Sequence, residues 1–83
     1  MKRVIRCNDT LTAAQSNWLS SDEVADLMKG MSTSEKRMVG KMRNSTDCSQ
    51  YVRAVIDMVI VMGVDISESF DTFLDKASEV FQA

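Results

Sequence analysis

Tyr51-Val52-Arg53-Ala54-Val55-Ile56-Asp57-Met58-Val59-Ile60-Val61-Met62-Gly63-Val64 is the stretch whose reading decides the fold. It is apolar almost all the way round, interrupted only by Arg53 and Asp57. A helix apolar on every side is one that other elements surround, so this stretch reads as the centre of a small bundle. Arg53 and Asp57 stand four residues apart and share one helix face, where they form a weak surface pair and mark the stripe that meets water. The β-branched run through Val55, Ile56, Val59, Ile60, Val61 and Val64 also suits a buried strand, which would pair with Val4-Ile5-Arg6. Its length and its helical neighbours on both sides favour the helix.

Helical periodicity continues outward from this stretch. After it, Asp65-Ile66-Ser67-Glu68 offers a cap with an acid at the right offset. Ile66, Phe70, Phe73, Leu74, Ala77, Val80 and Phe81 then repeat at helical spacing, and Glu68, Asp71, Asp75 and Glu79 line the opposite face. Before it, Asn44-Ser45-Thr46-Asp47 reads as a turn and cap. The preceding helix opens on the capping box Ser32-Thr33-Ser34-Glu35, points Met38, Val39 and Met42 inward, and spreads Lys36, Arg37, Lys41 and Arg43 over its other side. Earlier still, Ser20-Ser21-Asp22-Glu23 breaks one helix and caps another, with acids in the first turn where the helix dipole favours them. Val24, Leu27, Met28 and Met31 give that helix its inner face, and Gly30 is a natural C-cap. Leu11, Ala14 and Trp18, with Leu19 beside them, give an inner face to a first helix starting near Thr10. Residues 1–9 read as a short basic arm, with a single strand or a frayed turn as the alternatives. The expected fold is an all-α, compact bundle of four to five short helices around a central apolar helix, about 46–62, in a single domain spanning 1–83.

The totals agree. Hydrophobic residues make up 45% and charged residues 27% of the chain, a globular balance. Proline is absent and glycine occurs three times, which suits helices joined by short turns. Seven methionines fit either irregular core gaps or an adaptable binding surface. Lys2, Arg3 and Arg6 lead into Asn8, Asp9 and Thr10 rather than an apolar run, so no signal peptide is read, and the 54–64 run falls short of the ~20 residues a membrane span needs. A soluble, cytoplasmic chain with no membrane partner is expected. Cys7 and Cys48 read as two free, reduced thiols, with a disulfide between them as the alternative.

Charge divides the chain. Residues 1–44 carry eight basic and five acidic side chains, and residues 45–83 carry two basic and seven acidic.

Catalytic constellations are missing from the sequence. There is no histidine, so Ser-His and Cys-His arrangements cannot form. Gly30, Gly40 and Gly63 are isolated and build no phosphate-cradling loop. No enzyme activity, cofactor or metal site is expected.

Three surfaces remain as candidates. The first is an apolar patch holding Arg53, Asp57, Ile60, Val61 and Val64, rimmed by charge as protein interfaces are. The second is the acidic stripe of Glu68, Asp71, Asp75 and Glu79, suited to a basic partner surface. The third is the basic face of Lys36, Arg37, Lys41 and Arg43. Asp22–Ser32 followed by that basic helix resembles the helix-turn-helix of DNA-binding regulators over about 20 residues, with Ala25 at the position where a small residue is wanted. The resemblance implies a recognition helix carrying Lys36, Arg37, Lys41, Arg43 and Asn44, with Lys2, Arg3 and Arg6 as an arm. Gly30 and Ser32 suggest a longer turn than that motif uses. The chain therefore reads as a small non-enzymatic protein–protein interaction module, an adaptor, inhibitor or regulator that masks a partner surface. Its partner is another protein or a second copy in a homodimer. The alternative is a helix-turn-helix-like nucleic-acid-binding regulator. Small histidine-free chains of this kind are frequent among accessory proteins of bacteriophages and mobile elements.

Overall fold

The computed structural model describes residues 11–44 and 48–81. Among them are five helices: α1 Ala13–Leu19, α2 Asp22–Lys29, α3 Thr33–Asn44, α4 Cys48–Val61 and α5 Glu68–Val80. No strand occurs among the described residues, so the β-branched run of 55–61 is helical. The arm expected at 1–9, Cys7 and the turn expected at 45–47 lie outside the described residues.

The fold is an all-α bundle of short helices, and the buried core among the described side chains is drawn chiefly from α5. Phe70, Phe73, Leu74, Ala77 and Phe81 of the α5 segment are all buried, joined by Leu19 of α1, Val24 of α2, Met31 of the next turn, Val39 and Met42 of α3, and Val55 of α4. Packing follows the same pattern: α5 lies against α2 and α1, while α4 lies against α3. The physical reason is side-chain bulk. Aromatic side chains bury 150–250 Å² each, so a stripe of three phenylalanines gains more from the central position than a cylinder of Val and Ile. Trp18 stacks on Phe73 with ring centroids 5.3 Å apart and meets Phe81 edge-on at 6.4 Å, while Phe70 and Phe73 stack at 6.0 Å.

Helix ends are fixed by local chemistry. Thr12 and Gln15 form a capping box at α1: the Gln15 N–H donates to Thr12 Oγ1, and the Thr12 N–H donates to Gln15 Oε1. That role explains why Gln15 is buried while Ala14, expected on the inner face, is exposed. Ser21 caps α2, its Oγ accepting from the Val24 N–H at 3.4 Å. Ser67, two residues beyond the expected Asp65, caps α5 by accepting from the Phe70 N–H at 3.1 Å.

Two glycines close turns for different reasons. Gly63 follows the end of α4 with φ +63°, the left-handed conformation that terminates a helix and that only glycine adopts at no cost. Gly30 follows α2 at φ −92°. Its need is spatial: a Cβ there would collide with the Ser69 side chain, whose own Cβ would stand 3.2 Å away. The start of α5 is thereby seated directly on the α2–α3 turn.

Candidate functional site

The side chain that organises the surfaces is Glu35. It sits at the third position of α3 and is buried. Its Oε1 accepts from the Ser32 N–H at 2.7 Å, while the Glu35 N–H donates to Ser32 Oγ at 3.2 Å, completing the capping box read from the sequence. Its Oε2 accepts from the Ser67 N–H at 2.8 Å. The third residue of α5 is Phe70, which has no acceptor to return to its own cap, so α3 supplies the missing half of that capping box. Burial alone would raise the Glu35 pKa. The hydrogen bonds from Ser32 and Ser67 outweigh it and hold the carboxyl below its ordinary 4.5.

This arrangement consumes the one acid of α3 and leaves its outer face basic. Lys36, Arg37, Lys41 and Arg43 are all exposed. Arg43 is partly committed to the fold: its guanidinium donates to the Leu19 carbonyl at 2.9 Å, satisfying the C-terminal end of α1, and approaches Met28 Sδ at 3.9 Å. The turn between α2 and α3 is Gly30-Met31-Ser32, three residues, shorter than the sequence suggested and within the helix-turn-helix range. Ala25, however, is exposed, so it does not perform the close-packing role that the motif gives it.

The apolar patch is at the far end of α4. Val55 anchors that helix in the core, and its outward face carries Ala54, Asp57, Ile60 and Val61. Ile60 is 59%, Val61 78%, Met62 74% and Val64 41% exposed. Asp57 and Asp65 stand exposed at either end of the patch. Arg53 falls within α4, but its side chain lies outside what the structure describes. Met62 joins the patch although sequence reasoning missed it; its position beside the Gly63 turn was the available signal.

Glu68, Asp75 and Glu79 are exposed along α5 and Asp71 is half-buried, all opposite the buried Phe70, Phe73 and Ala77. Lys76, at the margin of this face, pairs with Glu23 of α2 at 3.6 Å.

A cleft of about 260 Å³ separates α3 from α4 and the 62–67 connection. Met38, Val55, Met58, Val59, Ile66 and Phe70 make most of its wall, with Ser34 and Asp65 at its polar edge. The carboxylate of Glu35 borders it with both oxygens already accepting hydrogen bonds. No helix among the described residues is long and apolar enough to cross a membrane.

Compared with protein-family models, curated proteins and solved structures, the chain shows no match.

Proposed function

We propose that this chain is a small non-enzymatic protein-interaction module, an adaptor, inhibitor or regulator, that acts by covering an apolar surface of a partner protein with the outer end of α4. The observation that carries this reading is the exposure of Ile60, Val61, Met62 and Val64, four large apolar side chains within five positions. Apolar residues scattered singly on a surface are ordinary; four within five positions are not. Exposed Asp57 and Asp65 bracket the patch. The complementary partner surface is therefore apolar at its centre and edged by lysine or arginine. A second copy of this chain is the other occupant.

The test compares wild type, Ile60→Asp and the remote surface variant Glu79→Gln in capture from a nuclease-treated lysate, with sedimentation to follow self-association. A protein retained by wild type and Glu79→Gln but lost by a still-helical Ile60→Asp supports the reading. Retention of the same proteins by all three variants contradicts it. Concentration-dependent self-association that Ile60→Asp removes would assign the patch to a second copy instead.

A further inference from the structure

The outer face of α3 has an internal order that its charge alone does not convey. Thr33, Arg37, Gly40 and Asn44 follow one another at steps of four, three and four residues, so they form a single ridge along the helix. Lys36 lies on one side of that ridge and Lys41 on the other. Glu35, Val39 and Met42 occupy the opposite, buried side. The face is thus a narrow ridge of small and polar groups with a cation on each flank, and Arg37 within it.

Gly40 stands half-buried in the middle of the ridge, and no neighbour among the described residues requires it. Its φ is not positive, since Gly63 is the one positive-φ glycine among the described residues. A Cβ added at Gly40 would meet nothing within 4 Å. Inside a helix, glycine is less favourable than alanine because it loses more backbone freedom and buries nothing. What glycine does provide is a place where another molecule reaches the helix backbone.

We propose that this face of α3 docks into the major groove of duplex DNA, a binding surface additional to the apolar end of α4. The ridge of Thr33, Arg37, Gly40 and Asn44 faces the groove floor, and Lys36 and Lys41 reach the two phosphate walls. B-form DNA admits an α-helix in its major groove, with phosphates on both sides of it. A flat acidic protein surface has no such two-walled form. The one acid of α3, Glu35, is buried and holds two backbone N–H groups, so it does not oppose phosphate on this face. The acids of α5 lie on a face turned away from the core that α3 and α5 share. Because Ala25 is exposed, the unit that docks is α3 itself and not the two-helix motif.

The experiment is fluorescence anisotropy on a labelled mixed-sequence duplex of about 20 base pairs, in about 50 mM salt, with single-stranded DNA and duplex RNA as comparators. Binding at micromolar protein is expected, with a log–log salt slope of roughly −2 to −3 for two or three neutralised phosphates. The A-form groove excludes a helix, so RNA duplex should bind less tightly. Arg37→Glu with Lys41→Glu should weaken DNA binding more than about tenfold. Gly40→Gln should raise the melting temperature and yet weaken DNA binding, a combination that a merely structural glycine cannot give. Failure to bind duplex DNA at these concentrations overturns the proposal. So does binding that is indifferent to Arg37→Glu with Lys41→Glu, a folded Gly40→Gln that binds like wild type, or self-association lost with the charge reversals, which would assign this face to the acidic stripe of a second copy.

Discussion

Glu35 Oε2 accepts a hydrogen bond from the Ser67 N–H at 2.8 Å, joining the first turn of α3 to the cap of α5 across 32 residues of chain. Through its other oxygen the same carboxylate caps its own helix. One negative charge thus serves two helix N-termini, where both dipoles favour it. Removing it leaves two partly buried backbone N–H groups without their acceptor. A hydrogen bond to a charged group contributes about 1.5–3 kcal/mol, so Glu35→Ala should lose roughly 2–4 kcal/mol of stability in urea unfolding. Glu35→Gln keeps one acceptor and should lose about half as much.

The same contact makes stability depend on acid. The folded-state pKa of Glu35 is lowered, so ionisation stabilises the native state. Its contribution is present in full above the ordinary value of 4.5 and is lost as pH falls through the lower folded value. Urea midpoints measured from neutral pH downward should show an acid-side decline that is shallower in Glu35→Gln.

A side chain at Gly30 crowds Ser69. Gly30→Ala makes the Ser69 hydroxyl rotate and its Cβ give by a few tenths of an ångström, and should cost about 1 kcal/mol, the low end for overpacking. Ser69→Gly in the same molecule should recover most of that loss, because it removes the side chain the new Cβ meets. A double-mutant cycle with no coupling would show that the close approach is not what selects glycine.

Core energetics should follow α5. Phe73 is buried and stacks against both Trp18 and Phe70. Phe73→Ala should cost about 3–5 kcal/mol, close to the whole stability of a domain this small. Val55, the buried anchor of α4, should cost clearly less when truncated to alanine.

The places where the sequence was legible and where it was not have one physical difference. Ser21, the Ser32–Glu35 box and the Phe70–Phe73–Leu74–Ala77 stripe are local patterns, and helix periodicity or capping chemistry suffices to read them. Which helix takes the centre is not local. The apolar run of α4 is longer than the stripe of α5, but burying it on all sides requires neighbours on all sides, and α4 packs chiefly on α3. The aromatic bulk of α5 is the signal in the sequence for its place in the core. The second bond of Glu35 and the collision that explains Gly30 both depend on where α5 begins in space. Their counterparts, Ser67 and Ser69, gave no hint of this in their own stretch of chain. Among candidate residues, Ile60, Val61 and Val64 are exposed along with Met62, whereas Arg43, grouped with the other cations by its charge, is partly engaged in closing α1.

The central claim is that the far end of α4 lies outside the core and is available as a working surface. Urea unfolding of Ile60→Lys with Val61→Lys tests it most directly, because lysine suits the C-terminal end of a helix and is costly in a core. An unfolding free energy within about 1 kcal/mol of wild type, with unchanged helicity, is the predicted result. A loss of more than about 3 kcal/mol would place Ile60 and Val61 inside the protein and contradict the account.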